Sequence, residues 1–163
     1  MVYHRKKIEP AVFYTGGVEL YFFDGREYNL YEDGKLVSLT ESATYPKLIW
    51  KNGTKEWLYK NLPHRDNDLP AIEHSNGDKE WWFLGKRHRT DGPAVEYSNG
   101  TKEWWADGVL HRSDGPAIIY SNGDREYWYL NQRHNNAGGP SIIYGKKQYW
   151  YRFGIFIGDV AGK

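Results

Sequence analysis

Hydrophobic and polar positions along this chain alternate over short runs, and the runs recur at a fixed spacing. Ala94-Val95-Glu96-Tyr97 leads through Ser98-Asn99-Gly100 into Lys102-Glu103-Trp104-Trp105. Twenty-three residues on, Ala117-Ile118-Ile119-Tyr120 leads through Ser121-Asn122-Gly123 into Arg125-Glu126-Tyr127-Trp128. Asn-Gly between runs rich in β-branched and aromatic residues predicts a β-hairpin with a two-residue type I′ turn, because that turn needs positive φ at both central positions. A fixed period of this length predicts a repeat array.

Pairing about Asn99-Gly100 puts Tyr97 opposite Lys102, Glu96 opposite Glu103 and Val95 opposite Trp104. Directly opposed residues share a face. One face is then expected to carry Val95, Tyr97 and Trp104 as the core, and the other Ala94, Glu96, Glu103 and Trp105. The same register sets Glu73 against Glu80. The stretch between hairpins, such as Gly85 to Gly92, reads as a loop that returns the chain to the next hairpin.

A proline opens each unit, where its missing N–H does least harm to a strand. Pro10, Pro46, Pro70, Pro93, Pro116 and Pro140 lie 36, 24, 23, 23 and 24 residues apart. The expected fold is all-β: an elongated meander of antiparallel hairpin repeats, about six units of ~23 residues. It forms a single repeat domain over 1–163. A degenerate N-terminal unit covers 1–25, an inserted hairpin 26–44, the regular repeats 45–139 and a C-terminal capping unit 140–163. The insertion holds Tyr28-Asn29-Leu30-Tyr31, Asp33-Gly34 and Leu36-Val37-Ser38-Leu39, a hairpin signal of its own. A non-repeated segment on a regular scaffold is a natural seat of function, which makes Tyr28 and Tyr31 candidates.

Charge removes several function classes. Twenty-two Lys and Arg against 21 Asp and Glu leave a net charge of +1 in 163 residues, so no global field draws in nucleic acid or acidic membrane. There is no cysteine, which excludes disulfides, thiol nucleophiles and Cys-based zinc sites. No 18-residue apolar run is present to span a membrane. Met1 to Lys7 is not followed by a signal-peptide core, so the expected location is cytoplasmic. No G-x-S-x-G, H-E-x-x-H or phosphate-binding glycine loop appears, and neither enzymatic activity, cofactor nor metal is expected. What stands out is aromatic content: 8 Trp, 14 Tyr and 6 Phe.

Three sets of residues carry candidate chemistry. Trp82, Trp105 and Trp128, one per unit beside Glu80, Glu103 and Glu126, would make a stacking platform for a partner, or a structural spine if they pack on one another. His88-Arg89 and His111-Arg112 head loops of the form His-Arg-x-Asp-Gly-Pro. Stacked along an edge they would take phosphate or carboxylate; alternatively Arg pairs with a carboxylate and His bonds backbone of the adjacent loop. The opposed pairs Glu73/Glu80 and Glu96/Glu103 would be unfavourable unless something lies between them, an Arg or Lys or a bound cation.

Trp82-Phe83-Leu84-Gly85-Lys86-Arg87-His88 and Trp105-Ala106-Asp107-Gly108-Val109-Leu110-His111 both read W-x-x-G-x-x-H, and Trp128, Asn131 and His134 repeat it with Asn for Gly. This resembles the MORN repeat, a 23-residue β-hairpin unit, over about Pro46 to His134. The chain departs from that family in having Arg65, Arg89, Arg112 or Asn135 after the His. The His-Arg-x-Asp-Gly-Pro-Ala variant is similar to repeats of large phages and giant viruses. The resemblance implies scaffolding, dimerisation or phospholipid binding, and a viral origin acting in a host cytoplasm. The leading expectation is a non-catalytic protein that recognises a protein, a host factor such as a defence component or a second copy of itself. The alternatives are capture of a small anionic ligand, a nucleotide or phospholipid headgroup, by the His/Arg edge, and a purely structural scaffold.

Overall fold

The computed structural model describes residues 12–13, 19–23, 26–30, 36–38 and 45–160. Fifteen antiparallel strands form one open sheet in which each strand pairs with the next of the series. Its strands run from Val12–Phe13 through Glu19–Phe23, Arg26–Leu30 and Leu36–Ser38 to the repeat pairs. The repeat pairs are Leu48–Ile49 with Lys55–Glu56, Ile72–Glu73 with Lys79–Glu80, Val95–Glu96 with Lys102–Glu103, and Ile118–Ile119 with Arg125–Glu126. Ile142–Tyr144, Lys147–Arg152 and Ile155–Val160 complete it. No helix occurs among the described residues. Fourteen strand spacings of ~4.8 Å give a length of about 67 Å, so the array is elongated and not closed into a barrel.

The insertion extends this sheet and does not sit beside it. Arg26–Leu30 pairs with Leu36–Ser38, which pairs in turn with Leu48–Ile49. Its Asp33-Gly34 turn, and Tyr31, lie outside the described residues.

Four further hairpins hang between the repeat pairs, where the sequence reading placed return loops. They are Leu58–Tyr59 with Leu62–Pro63, Trp82–Phe83 with Lys86–Arg87, Trp105–Ala106 with Val109–Leu110, and Trp128–Tyr129 with Gln132–Arg133. Their two-residue turns have positive φ at both central positions: Lys60 (49°) and Asn61 (62°), Leu84 (45°) and Gly85 (80°), Asp107 (50°) and Gly108 (82°), Leu130 (49°) and Asn131 (61°). That is the type I′ pattern, and it belongs to W-x-x-G-x-x-H. These second hairpins stack in a file. The N–H of each turn donates to the preceding hairpin: Gly85 to the Pro63 carbonyl, Gly108 to Arg87 and Asn131 to Leu110, at 2.9, 2.9 and 3.0 Å.

The Ser-Asn-Gly turns differ from the sequence reading by one residue. Gly100 N–H donates to the Tyr97 carbonyl and Tyr97 N–H to the Thr101 carbonyl, both at 2.9 Å. Only Gly100 has positive φ, 92°. This is a three-residue loop, a type I turn closed by a left-handed glycine. Asn99 Oδ1 accepts from Thr101 N–H at 2.8 Å and holds it, as Asn76 does for Asp78 and Asn122 for Asp124.

A shift of one residue exchanges faces. Glu96 opposes Lys102, and Val95 opposes Glu103; likewise Glu73 opposes Lys79, and Ile72 opposes Glu80. The expected carboxylate pairs therefore do not form. Across the sheet one row reads Glu56, Ile72, Glu80, Val95, Glu103, Ile118, Glu126, Ile142, and the other Lys55, Glu73, Lys79, Glu96, Lys102, Ile119, Arg125, Ile143. The second row alternates charge over its first five members, which suits a solvated face. The first interleaves aliphatic side chains with glutamates, and its packing is the key to the repeat.

Candidate binding surface

Each glutamate of the apolar row is held by aromatic donors from its own unit. Trp82 Nε1 donates to Glu80 Oε2 at 3.0 Å, Trp105 to Glu103 at 2.8 Å and Trp128 to Glu126 at 2.9 Å. The other carboxylate oxygen takes His74 at 2.8 Å in Glu80, the Tyr97 hydroxyl at 3.1 Å in Glu103 and the Tyr120 hydroxyl at 2.8 Å in Glu126. The Tyr144 hydroxyl also reaches Glu126 from the next unit. Burial raises the Glu80 pKa, but hydrogen bonds from His74 and Arg87, the Arg87 charge and the Trp82 indole outweigh it, and the net is below the ordinary value. Burial beside the Glu103 charge lifts Tyr97 to about 12.

The tryptophans also stack through intermediaries. Arg87 lies 5.1 Å from the Trp82 ring and 5.4 Å from Trp105; Trp105 and Trp128 both pack against the buried cluster of Leu110, Ala117 and Ile118; Arg133 lies between Trp128 (5.0 Å) and Tyr151 (5.4 Å). Trp82, Trp105 and Trp128 with Glu80, Glu103 and Glu126 are thus brought together as a hydrogen-bonded spine. Their N–H groups are committed and their rings half-buried, so little of them beyond part of each ring is left for a partner.

The His-Arg loops sit on the other tryptophans. Arg65, Arg89 and Arg112 lie over Trp57, Trp81 and Trp104 at 3.6, 3.9 and 4.2 Å. Each donates to the carbonyl of its unit's proline; in the last loop Asn135 does so instead, to Pro140 at 2.9 Å. In Arg89 two contacts to Asp68 and one to Glu96 raise its pKa. In Arg112 the Glu partner is lost because Ile119 stands there, and Asp114 takes Nε at 2.8 Å. His88 Nδ1 accepts from Asp107 N–H at 3.2 Å and His111 Nδ1 from Leu130 N–H at 3.3 Å. These loops therefore tie repeat to repeat. An open groove of about 760 Å³ runs between two of them, lined by His88, Arg89, His111 and Arg112 with Trp104 and Trp105. Tyr28 is buried at 2% exposure, its hydroxyl donating to the Pro46 carbonyl at 3.1 Å, and belongs to the core.

One apolar surface open to a partner is absent from the sequence reading. Along the file of second hairpins Tyr59, Leu62, Phe83, Leu84 and Leu130 are exposed, Phe83 at 51% and Leu130 at 56%, and exposed Phe153 continues the line at the turn of the last two sheet strands, where Gly154 N–H donates to the Arg133 carbonyl at 3.0 Å. Leu84, Leu130 and Phe153 stand at the turns with φ of 45°, 49° and 47°. The signal was present in the two variable positions of W-x-x-G, once these are read as a turn and not as loop filler. No family model and no curated protein matches this chain.

Proposed function

We propose that this is a non-catalytic binding protein that recognises another protein along the file of second-hairpin turns. The observation that carries the reading is the placement of large apolar side chains in left-handed turn positions. Left-handed φ is costly for bulky residues and free for glycine, with Asn and Asp tolerated. Asp107 shows that the scaffold accepts a polar residue there. Leu84 and Leu130, two repeats apart with Asp107 between them, and Phe153 one repeat further on are half exposed in strained turn positions along one line, and strain retained in a fold is a pointer to function. The resemblance to MORN arrays, read as scaffolding modules, supports the same reading. A small anionic ligand at the His/Arg edge is less favoured, because the guanidiniums are already met by Asp68, Glu96 and Asp114.

The test is capture of the partner by tagged wild-type protein and by Leu84→Gly/Leu130→Gly. These substitutions relieve the backbone and remove only the protruding side chains. The reading expects a stoichiometric partner retained by wild type and lost by the double variant. Equal capture by both would refute it.

A second reading is favoured by the last described strand. Ile155, Phe156 and Ile157 are exposed on it, Ile155 at 69%, and an apolar outer strand invites pairing with a second copy. Light scattering across a concentration series, with Ile157→Lys as the control, tests self-association.

A further inference from the structure

The aromatic file along the second hairpins lacks one ring. Tyr59, Phe83 and Tyr129 hold the same position in their hairpins. Tyr59 lies 5.9 Å from His64; Phe83 stands between His64 (5.0 Å) and His88 (6.2 Å); Tyr129 stands between His111 (4.8 Å) and His134 (6.4 Å). Between His88 and His111 the corresponding residue is Ala106. Two strand spacings of ~4.8 Å separate successive repeats, which leaves room for one ring about 5 Å from each imidazole.

The grooves record the loss. The one between loops 65–69 and 88–91 measures about 250 Å³ and contains Phe83 and Leu69. The next, between loops 88–93 and 111–114, measures about 760 Å³, with Ala106 and Gly92 at those positions. Two guanidiniums and two carboxylates, Arg89 and Arg112 with Asp91 and Asp114, line it, so it selects no strong charge. Trp104 and Trp105 also line it. Arg112 uses Nε on Asp114 and Nη1 on the Pro116 carbonyl; its Nη2 has no acceptor among the described residues and can serve a phenol oxygen.

We propose that the seat at Ala106 receives the side chain of an exposed tyrosine from the protein partner. The inference rests on the recognition reading and specifies where a partner anchors. An aromatic anchor entering a preformed slot is the usual centre of a protein interface, and the chain fills the neighbouring seats with its own Phe83 and Tyr129.

The test uses p-cresol, the tyrosine side chain alone, titrated into ¹⁵N-labelled protein. Expected are saturable amide shifts at His88, Ala106 and His111, abolished in Ala106→Phe, where the ring is supplied internally. Phe83→Ala should open a second p-cresol seat, with new shifts at His64 and His88. Wild-type shifts that are absent, lie elsewhere or survive unchanged in Ala106→Phe overturn the proposal, as does a folded Phe83→Ala that gains no seat. If Ala106→Phe fails to fold, the wild-type and Phe83→Ala titrations still decide. p-Cresol that fails to bind, with turn-dependent partner capture intact, would sink the seat and leave the recognition reading standing; the reverse result would do the opposite.

Discussion

Arg89 grips Asp68, a residue of the preceding loop, through two hydrogen bonds, Nε to Oδ1 at 2.8 Å and Nη2 to Oδ2 at 2.7 Å. The same guanidinium lies over Trp81, donates to the Pro93 carbonyl and meets Glu96. One side chain thereby joins two repeats and covers a core ring.

The two ends of that contact should have very different weights. Asp68 is half exposed, and surface ion pairs are worth about 0.2–1 kcal/mol, so Asp68→Asn is expected to cost well under 1 kcal/mol. Arg89→Ala also uncovers Trp81 and strips a carbonyl and a second carboxylate, for an expected loss of about 2–3 kcal/mol. Urea unfolding of both variants checks the ratio; equal costs would show that Arg89 acts only as a surface partner of Asp68.

Leu84 and Leu130 should be destabilising where they stand. A left-handed non-glycine residue costs roughly 1–2 kcal/mol, partly offset by the entropy that glycine loses on folding. Leu84→Gly and Leu130→Gly are each expected to raise stability by about 0.5–1 kcal/mol, read as a higher urea midpoint at unchanged m-value. A loss of stability would mean that these side chains pack usefully, and the argument from strain would fail.

The repeat, its period and its hairpins were legible because each rests on local chemistry: a proline opening the strand, and Asn-Gly closing the turn. Even the 24-residue intervals can be traced, since the loops from His64 to Pro70 and from His134 to Pro140 are one residue longer than those from His88 to Pro93 and His111 to Pro116. Register was not legible. Ser-Asn-Gly-Thr fits a two-residue or a three-residue loop, and the choice turns on one side-chain acceptor, Asn99 Oδ1. That one residue moved Glu103 from a carboxylate pair to a tryptophan partner. The open seat at Ala106 is beyond reach as well, because the two-residue strands around its turn read from sequence as a loop.

Glu80 should show in the acid limb of stability. Its pKa is depressed in the folded state, so the unfolded chain takes up the proton first as pH falls. The stabilisation is complete above the ordinary value of 4.5 and is lost as pH drops through the lower folded value. Glu80→Gln keeps the shape without the charge. It should be less stable than wild type at pH 7, and the gap should narrow below pH 4.5. A constant gap would mean that the carboxylate charge is not what His74 and Arg87 hold.

Tyr97 sets the alkaline limb. Its phenol is raised from 10.0 to about 12 by burial and by Glu103. Above pH 10.0 the unfolded chain releases that proton while the folded one keeps it, so stability declines as pH rises from about 10 to about 12. Tyr97→Phe removes this contribution, and its unfolding free energy should fall less steeply over that interval. The ultraviolet phenolate titration should also lose amplitude at its late end. An unchanged slope would count against the half-buried Tyr97–Glu103 contact.

The spine supplies the strictest test of the fold's logic. Trp105→Phe keeps a ring between Arg87 and Leu110 but removes the N–H given to Glu103. Tyr97 is then the remaining donor to that carboxylate among the described residues, and the expected cost is about 1–3 kcal/mol. Trp105→Ala removes the ring as well, leaving Arg87 and Leu110 facing a gap, for about 3–5 kcal/mol. Trp82→Ala/Trp105→Ala together should abolish cooperative unfolding, followed by near-ultraviolet circular dichroism. If the double variant folds and still captures a partner, the ladder is neither spine nor site. If it folds and loses the partner alone, the tryptophans are the recognition surface and the hairpin turns are not.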